Sequence, residues 1–279
     1  MNLVYTADDG SFYFHHTIDE NPMQKDFQLH YEKTYEIYLF IKGRGEYNIE
    51  GSRYPLASNS ILIMSPSEIH NLVISEQEPY ERMVLKIDKK FTVPFISHGI
   101  DCFRAFKFRK LGQGNNIDAG KVKESGIFDL FKKLALHCSE GGAENELVAK
   151  CIIFQMLYII NNLTAFDRLP SNPPSNNKMA EILEFINAHI SEPLSLNIIS
   201  DKFFITKYHL CNIFKKATGF SINKYITYKR VMLADRLILE GQLPTQACFA
   251  SGFNDYSNFY RAYKSITGKT PSETAKNKE

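Results

Sequence analysis

The chain has 279 residues, 44% of them hydrophobic, and a formal net charge of +2; that length suffices for two domains that each bury a core, and the hydrophobic share is ordinary for a globular protein. Five scattered cysteines without a CxxC pair exclude a disulfide framework and read as reduced thiols of a cytoplasmic protein. The N-terminus lacks a basic–apolar signal pattern, and no apolar run is expected to reach the roughly 20 residues that span a membrane.

Residues 1–95 read as β structure. Tyr35–Ile41, Ser60–Met64 and Met83–Ile87 are short runs rich in β-branched and aromatic residues. Gly43-Arg44-Gly45, Glu50-Gly51-Ser52, Ser58-Asn59-Ser60 and Gln77-Glu78-Pro79 supply turns between them. Strands at that spacing suit a sandwich or a small barrel. From residue 120 the period becomes helical. Ile127, Leu130, Phe131, Leu134 and Ala135 make one amphipathic stretch. After Gly141-Gly142, Val148, Cys151, Ile152, Gln155, Met156, Ile159, Ile160 and Leu163 make a second. That second helix is apolar nearly all round, as expected of a buried helix or a subunit interface. Residues 166–177 (FDRLPSNPPSNN) are polar and proline-rich, and read as a linker.

Helical pattern resumes at Met179, Ile182, Leu183 and Ile186. Residues 178–279 hold 14 Lys and Arg against 9 Asp and Glu, the remainder 19 against 22. A basic C-terminal part and a slightly acidic N-terminal part fit a DNA-binding module joined to something that does not bind DNA. Within the basic part the sequence reads twice. Leu210, Ile213, Phe214, Lys215, Ala217 and Gly219 recur 49 positions later as Phe259, Ala262, Tyr263, Lys264, Ile266 and Gly268. Each copy places apolar residues on one helical face, starts at a capping residue (Thr206, Asp255) and stops at a glycine suited to a left-handed conformation. A shorter helix is expected before each, near 195–202 and 244–251. Two short helices joined by a tight turn form a helix-turn-helix, whose second helix enters the DNA major groove. Between the copies, residues 221–240 carry Ile222, Ile226, Leu233, Ala234, Leu237 and Ile238 on one face, with no proline or glycine. Such a helix is about 30 Å long, near the ~34 Å between successive major-groove faces.

Residues 178–275 resemble the DNA-binding domain of the AraC/XylS family of bacterial transcription regulators. The matching stretches are PLSLNIISDKFFITKYHLCNIFKKATGFSINKYITYKRVMLADRLI and GFNDYSNFYRAYKSITGKTPSE. Departures from the family pattern are Ala247-Cys248 in place of an Ile-Ala pair, Ser200 in place of alanine, and Pro244 in place of an aliphatic residue. A proline is tolerated in the first turn of a helix, so the fold is expected to survive it. Residues 25–90 resemble the cupin-like sensor domain that often precedes this module, through His30, Tyr35-Glu36-Ile37, Gly43, Pro66 and His70. The resemblance implies a β-barrel pocket for a small effector, often a sugar, followed by helices that dimerise.

On the first recognition helix, burial of Leu210, Ile213 and Phe214 is expected to leave Lys207, Tyr208, Cys211, Asn212 and Lys215 facing DNA. On the second, burial of Phe259, Ala262 and Tyr263 leaves Tyr256, Asn258, Tyr260, Arg261 and Lys264. Asn and Arg can read adenine and guanine through paired hydrogen bonds, while Lys and Tyr can hold phosphates. The resemblance implies base contacts at Tyr208, Cys211 and Asn212, and at Tyr256, Asn258, Tyr260 and Arg261. Arg230 on the connecting helix is expected in a structural ion pair. In the barrel, His30, Glu36, Tyr38 and His70 are expected to bind effector hydroxyls. With Glu32, the set His30, Glu36 and His70 also resembles a cupin metal site, although sensor domains of the family usually lack metal.

No G-x-S-x-G elbow, P-loop, H-E-x-x-H or G-x-G-x-x-G is present. The expectation is therefore an α+β chain that is not an enzyme and needs no cofactor. Residues 1–165 form a cupin-like effector-binding and dimerisation domain, 166–177 a linker, and 178–279 an all-α module with two helix-turn-helix units. Its expected partners are double-stranded DNA, a small-molecule effector, RNA polymerase and a second copy of itself, with no membrane. Two rivals stand beside this: a metal-dependent cupin enzyme fused to a DNA-binding module, and a regulator whose N-domain only dimerises or binds another protein.

Overall fold

Alternating and helical periods sort the chain into two compact units, Met1–Pro173 and Pro174–Glu279. The structure, a computed structural model, describes residues 2–8, 10–27, 30, 32–66, 68–92, 100–107, 109–165 and 178–276. The proposed linker 166–177 lies outside them.

The first unit is built on two antiparallel sheets. The larger runs β1 (Asn2–Asp8), β2 (Phe12–Asp19), β8 (Tyr80–Ile87), β3 (Tyr35–Lys42), β6 (Ile61–Met64), β9 (Asn116–Ile117), and the smaller runs β5 (Ser52–Pro55), β4 (Gly45–Ile49), β7 (His70–Ile74). The three expected strands are present as β3, β6 and β8. Between β4 and β5, Glu50 (φ 48) and Gly51 (φ 80) both take positive φ and close a two-residue hairpin with Ile49 paired to Ser52.

Strand alternation divides the core. Tyr35, Ile37 and Leu39 of β3, Ile61 and Ile63 of β6, and Met83, Leu85 and Ile87 of β8 face a core shared with the helices. Tyr38 and Phe40 face the other way and pack with Tyr47, Ile49, Leu62, Leu72, Tyr80 and Val84 between the sheets. The helices are α1 (Arg104–Lys107), α2 (Ala119–Ser125), α3 (Ile127–Glu140) and α4 (Ala143–Ala165). Helix α4 corrects the expectation about apolar runs. Over Ala143–Thr164 it is long and apolar enough to cross a membrane, with mean hydropathy 1.5. Its Ile152, Ile153, Met156, Leu157 and Ile160 are instead buried in the core with Leu130, Phe131 and Leu134 of α3. Its opposite side leaves Leu147 65% and Tyr158 68% exposed.

The second unit is all helical: α5 (Lys178–Ala188), α6 (Leu196–Lys202), α7 (Lys207–Thr218), α8 (Ile222–Leu239), α9 (Pro244–Ala250), α10 (Tyr256–Thr267) and α11 (Pro271–Lys276). The caps are those the duplicated pattern calls for. Thr206 Oγ1 accepts from the His209 amide, and Asp255 Oδ1 accepts from the Asn258 amide. Gly219 (φ 78) and Gly268 (φ 72) end α7 and α10 in the left-handed region. Pro244 sits at the first position of α9, where its missing N–H costs nothing. Ser200 is buried and satisfies its hydroxyl on the Asn197 carbonyl at 2.9 Å.

Candidate nucleic-acid interface and effector site

Each recognition helix is fixed by a buried stripe. Leu210 and Phe214 of α7, and Phe259 and Tyr263 of α10, are fully buried. Lys207, Tyr208, Asn212 and Lys215 are exposed on α7, as are Asn258, Tyr260, Arg261 and Lys264 on α10, while Cys211 is half-buried. Tyr256 departs from the expectation of a solvent-facing contact: it is half-buried, its ring 5.6 Å from that of Phe259, because it covers the apolar edge of the second unit's core. On α10 the Arg261 Nη2 donates to Asn258 Oδ1 at 2.6 Å, so two of the candidate base readers are already joined across one helical turn.

The connecting helix α8 has 18 residues, about 27 Å at 1.5 Å per residue. It anchors the second unit through buried polar contacts. The Tyr263 hydroxyl donates to Asp235 Oδ1 at 2.5 Å and lies 3.0 Å from Thr274 Oγ1. Among the described residues Arg230 makes no ion pair of the kind expected of it. Its Nε donates to the Ile190 carbonyl at 2.9 Å and its Nη2 to the Glu192 carbonyl at 2.7 Å. Main-chain acceptors after α5 thus replace a carboxylate. The turns of the two units also differ by one residue. The Ile205 amide donates to the Ser200 carbonyl and the Phe253 amide to the Cys248 carbonyl, a spacing of 48, whereas the N-caps are 49 apart. Phe204 (φ 52) therefore occupies the left-handed turn position that Gly252 (φ 91) fills in the second unit. Phe204 is 94% exposed.

In the barrel the structure brings together Glu36, Tyr38 and His70, all buried. His70 Nδ1 lies 2.8 Å from the Glu68 carbonyl, which can only accept. The proton is therefore on Nδ1, and Nε2 presents a lone pair. That Nε2 and Glu36 Oε2 stand 3.8 Å apart, and neither has a hydrogen-bond partner among the described residues. Burial pushes the Glu36 carboxyl up to about 7, the cations Lys86 and Arg82 opposing and Glu32 adding to the rise. Burial, and then His30, holds His70 down at about 3.

His30 stands at the rim. It is bridged through the backbone to His70, with its ring 4.5 Å from the His70 ring and its side chain 46% exposed. The strand that would have aligned residues 30, 32 and 36 does not run unbroken, since β3 begins at Tyr35. Glu32 Oε1 lies 2.6 Å from Lys86 Nζ and 3.8 Å from His30 Nε2. Among the described residues no group of three or more His, Cys, Asp and Glu is placed to hold a metal ion.

Sequence reading missed several barrel residues. Tyr80, Arg82, Val84 and Lys86 alternate along β8 on the face shared with Tyr38. The Tyr38 and Tyr80 hydroxyls are hydrogen-bonded, with Tyr47 packed beside Tyr38 at 4.8 Å between ring centroids. Glu68 is locked to Arg109 and accepts from the Gly112 amide at 3.0 Å. Burial alone would raise the Glu68 carboxyl, but the Arg109 guanidinium outweighs it and holds it low. The alternation of 80, 82, 84 and 86 was the available signal.

Comparison with known proteins matches this geometry at both ends. Residues 16–98 match the model of the AraC-like ligand binding domain, and residues 199–277 match that of a helix-turn-helix domain. The chain belongs to the AraC family of regulators. Among curated relatives, it is 33% identical over 90 residues to the uncharacterized HTH-type transcriptional regulator YbfI of Bacillus subtilis, covering 32% of this chain and 33% of that one. The match thus spans about a third of that relative. It is 22% identical over 246 residues to the arabinose operon regulatory protein of Escherichia coli, covering 86% of this chain and 80% of that one. Among solved structures, ToxT from Vibrio cholerae is 15% identical, with 95% of this chain and 98% of that one covered and a TM-score of 0.38. The family member therefore carries a ligand-binding domain and a DNA-binding domain.

Proposed function

We propose that the chain is a cytoplasmic transcription regulator that reads duplex DNA with α7 and α10 and is controlled by a small effector held in the barrel. The observation that carries this is the pair of capped recognition helices on either side of α8, in one chain with the orphaned Glu36 and His70 atoms between two sheets. Asn212, Asn258 and Arg261 serve as base readers, Tyr208 and Cys211 as further groove contacts, and Lys207, Lys215, Tyr260 and Lys264 as phosphate contacts. Tyr256 supports α10. Glu36, Tyr38 and His70 line the effector site, with His30 at its rim. The exposed side of α4, with Leu147, Cys151 and Tyr158, packs against a second copy. The DNA-bound dimer acts on RNA polymerase. Residues 166–177 link the two parts. The name of the arabinose operon regulatory protein supports a sugar-related effector.

Selection of duplexes from a random library by the full chain tests this reading. The expected result is one enriched motif, bound with a steep salt dependence, since each neutralised phosphate releases counterions. Screening small molecules for release or tightening of that duplex then tests effector control. No enriched motif, or a flat salt plot, overturns the DNA-reading assignment. Oxidation of native Cys151 tests the dimer: a cross-linked pair supports the α4 face, and a monomer in solution at working concentration refutes it.

A further inference from the structure

The interior of the barrel contains a guanidinium with one nitrogen that the described residues leave without an acceptor. Arg82 is buried, and its Nη1 has no hydrogen-bond acceptor. Its guanidinium lies over the rings of Phe27 and Tyr80, at 5.3 and 5.4 Å, and no carboxylate pairs with it among the described residues. A second inward cation, Lys86, is already bonded to Glu32 at 2.6 Å. Thr17 stands directly across the ladder from Arg82, and its buried Oγ1 is likewise without a partner. Buried charges are normally paired, because an isolated one forfeits its hydration. A ligand that supplies the missing negative charge would satisfy Arg82, and a guanidinium suits a carboxylate because its donors match the two oxygens.

The opposite requirement holds at Glu36 and His70. His70 Nε2 can only accept, and Glu36 Oε2 faces it at 3.8 Å with no donor between them. A hydroxyl set to one side of that gap would donate to the imidazole and accept from the protonated carboxyl. The two ends are set apart by the sheet register. Glu36 pairs with Lys86, and Phe40 with Arg82, so the two positions lie four residues apart along β3 and β8. That is about 13 Å between backbone positions along the strands. Tyr38, Tyr47 and Tyr80 pack with Phe27 in the cluster between the sheets, beside both ends.

We infer that the effector is a hydroxy-carboxylate, its carboxylate held by Arg82 with Thr17 and its hydroxyl held between Glu36 and His70. This rests on the reading of the barrel as an effector site and narrows it to a charged class. Sugar acids and hydroxylated aromatic acids share this chemistry, and matched probes separate them.

The test uses the full chain and thermal shift at millimolar ligand. The probes are D-galacturonate against D-galactose, D-glucuronate against D-glucose, and 4-hydroxybenzoate against 4-hydroxybenzyl alcohol. The expected result is stabilisation by an acid and none by its neutral counterpart. In R82Q that acid weakens about tenfold or more, whereas R82K, which keeps the charge, retains the preference for acid over neutral. Should R82Q fold poorly, the R82K result and the acid–neutral comparison in the native chain still decide. A neutral member that binds as well as its acid overturns the charged class while leaving the barrel an effector site. Undiminished acid binding in R82Q removes Arg82 as the reader. Silence of all six probes also overturns the class, and the barrel reading then stands or falls on the screen for duplex release.

Discussion

Gly252 is the position at which one methyl group should do most damage to the second DNA-reading unit. Its φ of +91 lies in the left-handed region, where an L side chain costs about 1–2 kcal/mol. A Cβ built there meets the Ile190 carbonyl oxygen at 2.8 Å, Arg230 Nε at 2.9 Å and the Ser191 carbonyl carbon at 3.0 Å. Two of these are backbone atoms, and the third belongs to the guanidinium that donates to Ile190 and Glu192. Relief of the clash requires Arg230 to leave at least one carbonyl, and a charged hydrogen bond is worth about 1.5–3 kcal/mol. The lower entropy of the unfolded alanine chain returns about 0.4–1 kcal/mol. Gly252→Ala should therefore cost about 2–4 kcal/mol. Gly219→Ala is the control: its φ is +78, but nothing lies within 4 Å of its added Cβ, so the cost is limited to the backbone, about 1 kcal/mol. Native-state hydrogen exchange of the full chain, read on peptides covering 244–268 and 207–219, compares the two. If Gly252→Ala opens α9 and α10 no more than Gly219→Ala opens the end of α7, the close approach is not what holds the second unit.

Other perturbations separate the roles assigned to individual groups. Asn212→Ala should relax preference at one base pair and cost about 1–3 kcal/mol there, whereas Lys215→Ala should weaken all sequences alike and lower the salt slope by about one unit; competition among site variants at two salt concentrations distinguishes them, and equal weakening everywhere by Asn212→Ala removes it as a reader. Tyr263→Phe deletes the hydroxyl held by buried Asp235, and should destabilise the helical unit by about 1.5–3 kcal/mol in exchange measurements on α10; an unchanged exchange rate would show the bond to be dispensable. Glu36 titrates near 7 in the fold against 4.5 in an unfolded chain, so the unfolded state ionises first and stability falls as pH rises through that window. His70 titrates near 3 against 6.5, so its contribution falls as pH drops below 6.5. In Glu36→Gln only the first effect disappears, and its melting temperature should gain on the native chain as pH rises from 5 to 8; a constant gap would sink the assignment.

Much of the second unit was legible in the sequence because its signals are local. Helical period, Thr206 and Asp255 as caps, and Gly219 and Gly268 as stops all act within one helix. Arg230 was misread because its partners are main-chain carbonyls 38 and 40 residues away, and carbonyls have no signature in sequence. The extra residue in the second turn was hidden by the even spacing of the recognition helices. In the barrel, β3, β6 and β8 stood out as apolar runs. Strands β4 and β7 did not, being five residues each and carrying Glu46, Asn48, His70 and Asn71. Without the smaller sheet there was no way to tell which face of β8 turns inward, so Arg82 and Lys86 were not singled out. Glu36 and His70 were found through resemblance; their mutual approach depends on two sheets meeting.

The most direct test of the whole account is missing-base interference, read at every purine and pyrimidine of a selected duplex bound by the full chain. Two recognition helices joined through α8 should give two clusters of major-groove contacts per protomer, on one side of the DNA and about 10–10.5 base pairs apart. Asn212→Ala should remove one contact from the cluster read by α7, and Arg261→Ala one from the cluster read by α10. A single cluster per protomer, or a pattern that neither substitution alters, would contradict it.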